Sequence, residues 1–224
     1  MINVSSINKG DESAYNVQAE IRVGTKTILA DKVTELPVNG VYKVNASLKV
    51  MVAKPGNYPL FLTMHYADAN QYPFSALSCL SFAYQQETLS PVFGQLSSTT
   101  FSKQGKVKLV IKNTSDQPVK TRTYLVAPRE LSYKSQPTEV LIDPRSEKSV
   151  EFPLENFSAL AGSTYQVYAV SESEDEQSHY TSIAPSTVKV VASQAIYGMS
   201  YSLIFALLVI LLVIFVGSQF FKKK

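Results

Sequence analysis

Before residue 193 the chain alternates apolar and polar positions with a period of two, in run after run. Val17, Ala19, Ile21 and Val23 alternate with Gln18, Glu20 and Arg22. Tyr42, Val44, Ala46, Leu48 and Val50 alternate with Lys43, Asn45, Ser47 and Lys49, and Tyr58, Leu60, Leu62, Met64 and Tyr66 form a third set. That period places apolar side chains on one face of a sheet and polar ones on the other. Further strands are predicted at Lys106–Lys112, with Val107, Leu109 and Ile111 inward, at Val119–Val126, at 150–154, at 165–169 and at Thr187–Val191. Turn residues fall between the runs, as in Asn8-Lys9-Gly10-Asp11, Pro37-Val38-Asn39-Gly40 and Pro55-Gly56-Asn57. No stretch before residue 193 keeps a helical apolar spacing over the length of a helix. Many short strands with turns at this spacing predict an antiparallel β-sandwich. Phe82–Pro91 loses the alternation and reads as a connection between two domains.

One stretch departs from this pattern. Leu203–Val216 is continuously apolar, and from Ile196 to Phe221 there is no acidic or basic residue. A helix needs about 20 such residues to cross a bilayer core of about 30 Å, so residues 196–221 predict a transmembrane helix. Tyr197, Tyr201, Phe220 and Phe221 would lie at the two interfaces, with Leu203 and Val216 bounding the apolar run. Lys222, Lys223 and Lys224 would form a basic cytoplasmic tail at 222–224, placing the body outside. Gly198 and Ser202, four residues apart, would allow close helix approach, though small residues near an interface are the plainer reading.

The second half repeats the first. The turn at Asn8 matches Asn113-Thr114-Ser115-Asp116, and Thr34-Glu35-Leu36-Pro37 matches Thr138-Glu139-Val140-Leu141. Gly56-Asn57-Tyr58 matches Gly162-Ser163-Thr164-Tyr165. Asn8 and Gly56 are 48 positions apart, and Asn113 and Gly162 are 49. Three matches in order at near-constant spacing indicate duplicated domains, expected at 1–88 and 89–192. The second domain has about 16 residues, Pro91–Lys106, ahead of its Val107 strand, whereas the first has only Met1–Ile7 ahead of Asn8. The first domain therefore lacks one strand and part of the next. Either sequence precedes Met1, a signal peptide with it, or another chain fills that place.

Charge narrows the partners. The three terminal lysines account for the whole net charge of +3. A neutral body without a basic stripe excludes nucleic acid as the expected partner. The single Cys79 has no partner in the chain and reads as a small buried residue of a strand, with an intermolecular disulfide as the alternative. His65 and His179 fall in corresponding strand-end regions without further ligands at metal spacing. His179 with Asp175 and Ser182 is the one catalytic grouping that can be drawn, and no constellation beyond it suggests an enzyme. Glu172, Glu174, Asp175 and Glu176 are calcium candidates, but they lack the glycine and spaced ligands of a dedicated loop, so a solvated hairpin tip is the plainer reading. No other cofactor is expected. Asn3, Asn45, Asn113 and Asn156 begin Asn-x-Ser/Thr triplets, and Asn45 and Asn113 look sterically open to modification.

Three local signatures resemble a known family. They are Ala14-Tyr15-Asn16-Val17 after the Asn8–Asp11 turn, the turn from Leu36 to Gly40, and Pro55-Gly56-Asn57-Tyr58-Pro59-Leu60 running on to Tyr66-Ala67-Asp68-Ala69-Asn70. Together they resemble CARDB, the cell-adhesion-related domain of bacteria and archaea, over residues 2–82 and more loosely over 106–191. The resemblance implies an immunoglobulin-like sandwich, in tandem here, and an extracytoplasmic, non-catalytic envelope protein. It transfers no functional residue. The expected whole is all-β: two tandem immunoglobulin-like sandwiches followed by one C-terminal transmembrane helix. The expected function is a membrane-anchored, adhesion-type binding or scaffold protein whose partners are the bilayer and another protein or an envelope glycan. The alternative is an accessory subunit of a membrane transporter or export complex.

Overall fold

Alternating segments pair where their apolar faces can be buried together. The computed structural model describes residues 1–47, 49, 52–133, 136–193, 195–196 and 199–221, with 195–196, 199–200 and 216–221 as backbone only. In the first half, β1 (Ile2–Ile7) pairs antiparallel with β5 (Val41–Ala46). The facing sheet is centred on β2 (Ala14–Val23). It carries β3 (Lys26–Leu29) and β4 (Val33–Leu36) on one edge and β6 (Gly56–Ala67) on the other, and β7 (Pro73–Tyr84) follows β6. Val17, Ala19, Leu36, Tyr42 and Met64 are buried together, as are Val4, Ile21 and Ala46.

The second half begins with β8 (Val92–Leu96), β9 (Thr99–Phe101) and β10 (Gln104–Asn113). Next come β11 (Val119–Val126), β12 (Leu131–Tyr133), β13 (Thr138–Ile142), β14 (Glu147–Asn156), β15 (Thr164–Glu174) and β16 (His179–Val190). One sheet runs β12-β14-β10-β8. The other contains β13-β11-β15-β16, with β9 parallel along the end of β16. Leu109, Ile111, Leu125, Leu154, Val167 and Val188 fill the space between them at under 2 % exposure. The body is an all-β, immunoglobulin-like sandwich architecture.

The halves do not hang from a linker. Residues 1–191 form one compact unit. The outer face of β6 and β7 lies on the outer face of β11, β15 and β16. Phe61, Leu77 and Cys79 are buried against Val126 and Val170, flanked by Tyr124, Tyr168 and Ile183. Each such side chain is worth roughly 1.5–3 kcal/mol when fully buried. The segment read as a connection from Phe82 onward is shorter than expected, because Phe82, Ala83 and Tyr84 still pair with Tyr58, Asn57 and Gly56.

Two asparagines anchor the repeat. Asn8 Nδ2 donates to the Leu36 and Glu12 carbonyls at 3.0 and 2.8 Å, and its Oδ1 accepts from Gly10 N–H. Asn113 Nδ2 donates to the Gln117, Ile142 and Asp143 carbonyls at 2.7, 3.2 and 3.1 Å, and its Oδ1 accepts from Ser115 N–H. Their own N–H groups donate to Gly40 and Ser146. The counterpart of Leu36 is therefore Ile142, not Val140. Asn113 is fully buried, so its triplet is not open to modification.

Residues 192–224 form a second unit. There β17 (Ala195–Ile196) pairs with β18 (Met199–Ser200), and α1 (Tyr201–Phe221) follows. The transmembrane helix expected over 196–221 is corrected here. Ile196 is paired in a strand rather than helical, so the helix starts five residues late. Among the described residues no helix is long and apolar enough to cross a membrane. Of the expected anchor residues, Tyr201 and Leu203 are exposed on α1, while Val216, Phe220 and Phe221 continue its backbone. Tyr197, Lys222, Lys223 and Lys224 lie outside the described residues.

The asparagine anchors can be weighed by substitution. Asn113→Ala strips five hydrogen bonds, one from the Ser115 hydroxyl to Oδ1 among them, and leaves the Ile142 carbonyl without this donor, so urea unfolding should show a loss of about 2–4 kcal/mol. Asn8→Ala, at an exposed turn, should cost about 1 kcal/mol. Equal losses would mean that burial does not set the two turns apart as supports.

Candidate functional site

A dense polar cluster lies where the halves meet, at the start of β16. His179 N–H donates to the Pro55 carbonyl at 2.9 Å, and His179 is the parallel register partner of Gly56. Gly56 has φ +138, and a Cβ there would lie 2.0 Å from the His179 carbonyl oxygen, so only glycine fits. Around this contact the side chains close a ring. Asn57 N–H and Nδ2 donate to Thr88 Oγ1 and to the Thr88 carbonyl. Thr88 Oγ1 in turn donates to the His179 carbonyl at 2.9 Å. Thr181 Oγ1 donates to the Asn57 carbonyl at 2.7 Å.

The imidazole of His179 is held on three sides. Its Nδ1 lies 2.8 Å from the Asn57 carbonyl and so carries a proton. Its Nε2 lies 3.4 Å from Glu172 Oε1. Its face stacks on Tyr58 with centroids 4.0 Å apart and planes 7° from parallel. Burial alone favours the neutral ring, but the Glu172 carboxylate, the Asn57 carbonyl and Glu174 outweigh it, and the pKa is raised above 6.5. Beside this pin, a cleft of about 560 Å³ is lined by Arg22, Tyr58, Phe61, Arg122, Tyr124 and Glu172. The Arg22 guanidinium sits 4.5 Å over the Phe61 ring. Burial and the Glu172 carboxylate push the Tyr124 hydroxyl far up.

A second polar tie is buried deeper. Glu130 is fully buried, and its Oε2 accepts from Ser75 Oγ of β7 at 2.6 Å. Nearby, Tyr72 of the first half donates to the Ser158 carbonyl of the second.

The sequence candidates fall apart in space. His65 lies near the C-terminal end of β6, opposite Gln18 and 3.0 Å from Glu20, whereas His179 opens β16, so the two histidines do not occupy corresponding places. Asp175 Oδ1 accepts from the N–H groups of Gln177 and Ser178, and its Oδ2 accepts from the Tyr180 hydroxyl at 2.7 Å. The Tyr180 hydroxyl above all, then the Ser178 and Gln177 amides, lower its pKa. Ser182 Oγ faces Gly94 N–H. His179, Asp175 and Ser182 are thus each engaged elsewhere. Of the calcium candidates, Glu172 faces His179, Glu174 pairs with Lys54 at 3.2 Å, and Glu176 is exposed at the tip. Among the described residues no group of three or more His, Cys, Asp or Glu could hold a metal ion. Cys79 is buried in β7, and burial pushes its thiol up to about 12.

Thr88 and Asn57 escaped sequence reasoning. The one available signal was a threonine in a stretch that had lost its alternation.

No family model matches the chain, and no curated protein matches it. Among solved structures it is similar to E. coli alpha-2-macroglobulin in its native conformation, with 16% identity and a TM-score of 0.38 over 75% of this chain. Salmonella alpha-2-macroglobulin reacted with methylamine gives 14% and 0.36 over 75%. Red sea bream transglutaminase gives 13% and 0.31 over 83%. The chain spans 10% of each macroglobulin and 28% of the transglutaminase. These likenesses are too weak to specify a function.

The His179 pin has a pH signature. A folded-state pKa above the unfolded one means that the protonated ring stabilises the fold below about pH 6.5, and that this contribution fades as pH rises through the raised value. The melting temperature of the wild type, measured against His179→Gln, should therefore fall from about pH 6 to about pH 8. Parallel curves for the two proteins would show that the ring titrates without coupling to folding.

Proposed function

We propose that this chain is a non-catalytic binding and scaffold protein of the adhesion type, displayed outside the cytoplasm, which holds a recognition surface for another protein or an envelope glycan on a stiff double sandwich. The observation that carries this reading is the junction at Gly56 and His179. Two sandwiches fused back to back, with a dry apolar seam and a closed ring of hydrogen bonds, transmit position without hinging. The turn and strand signatures shared with CARDB domains support the adhesion-type assignment. The chemistry at the junction fits support rather than turnover, since both His179 nitrogens are engaged and its ring is stacked.

Stiffness has a direct readout. The seam makes residues 1–191 a single cooperative unit, so calorimetry should give one unfolding transition whose calorimetric and van't Hoff enthalpies agree. Two separable transitions would sink the rigid-scaffold reading. Display outside the cytoplasm is tested with Gln177→Cys, at the exposed tip of the β15–β16 hairpin. A membrane-impermeant maleimide should label this variant on intact cells. The native Cys79, buried with a raised pKa, should stay silent. Labelling only after lysis would place the body inside.

A further inference from the structure

In the second half, β10 is paired on both edges, with β14 and with β8. In the first half its counterpart β1 is paired with β5 alone, and among the described residues no strand lies on its other edge. With Asn8 and Asn113 aligned, Val4 stands where Leu109 does and Ser6 where Ile111 does. With the twelve-residue strands β7 and β16 aligned end to end, Ala76 and Ser78 stand for Ser182 and Ala184. Among the described residues, the place that β8 fills in one half is therefore open in the other. A groove of about 550 Å³ runs there, lined by Ser6, Ala14, Met64, Tyr66, Phe74 and Ala76. Further along β7, Leu80 is 62% exposed.

We propose that this slot binds an extended segment of a partner polypeptide, which adds to β1 as an antiparallel strand in the place β8 holds in the second half. The backbone is set for it. Lys108 of β10 turns its carbonyl toward β8 and accepts from Ser97 N–H at 2.9 Å. By the same alternation Asn3, Ser5 and Ile7 present their N–H and C=O groups to the open edge, while Asn8 N–H turns the other way, to Gly40. Edge strands are ordinarily blunted by lysine, proline or a bulge. β1 has none of these, and Ile7, 49% exposed, replaces the Lys112 of the second half.

The sibling strand also specifies the occupant. β8 turns Val92, Gly94 and Leu96 inward, and these are buried. Its centre is glycine, where an added Cβ would crowd Leu109 Cδ1 at 3.2 Å and the Ala184 Cβ at 3.3 Å. Gly94 is also the register partner of Ile111. In the first half Val4 is one carbon shorter than Leu109, and Ser6 removes most of the bulk of Ile111. The first slot is deeper at its middle. Its ligand is a strand of alternating apolar and polar residues with a bulky apolar side chain at the central inward position. This binding goes beyond the scaffold reading and can fail without it.

The test uses the full chain and fluorescein-labelled peptides. One peptide copies residues 90–97, and the other carries valine in place of Gly94. Anisotropy titration should show the valine peptide binding about tenfold tighter, the scale of one buried aliphatic side chain. Amide exchange at Asn3, Ser5 and Ile7 should slow on binding. Methylating the peptide nitrogens at the Phe93 and Gln95 positions, which face the edge, should abolish it. Ser5→Pro removes one outward donor without touching the β5 ladder, so it should weaken binding at unchanged melting temperature. The proposal is overturned if a scrambled peptide binds as well, or if β1 exchange is unmoved by either peptide. It is also overturned if β1 becomes protected with rising protein concentration and no peptide, which would make a second copy of this chain the occupant.

Discussion

The close approach of two backbones at Gly56 and His179 governs how the rest of the body can be arranged. At that point the start of β6 meets the start of β16 with no side chain between them. The contact fixes which faces meet, so the apolar residues on the outer side of β6 and β7 find a matching surface instead of water. Asn57, Thr88 and Thr181 then complete the hydrogen bonds that a bare backbone crossing would leave open. A glycine with positive φ is thus the condition for the seam, and the seam is the condition for the two sandwiches behaving as one object.

Alternation made the strands legible, because a face that meets a core and a face that meets water differ in composition at every second residue. The same rule hid the seam. β6 is covered on both faces, and Phe61 sits at a position that alternation assigns to solvent. Spacing exposed the duplication, since the two asparagine turns and the positive-φ glycines Gly56 and Gly162 recur nearly in step. It could not show that Asn113 is fully buried, or that Glu172 faces a histidine seven residues away across a hairpin. Those facts depend on pairing register. At the C-terminal end, an apolar run argued for a span from composition alone, and the short β17–β18 pairing sets the helix start instead.

The duplicated halves solve one packing problem in two ways. In the second half, β11 and β15 bury Thr121, Thr123 and Ser171, whose hydroxyls bond to one another at 3.3 and 3.1 Å. On the matching sheet of the first half, Val17, Ala19 and Met64 fill the space with apolar atoms. β2 also carries a bulge at Asn16, with φ +54, where the ladder to β6 shifts by one. The extra residue is absorbed locally, and the apolar residues after it keep their face.

Because β16 is held along its length by eleven register pairs with β15, and at its end by β9, its bonds lie across the strand direction. A pull along β16 from its Val190 end would load those bonds together, in shear, rather than peel them one by one. β1 has a single ladder of six pairs to share such a load. The body is therefore mechanically polar: it yields first at its β1 end and resists longest at β16.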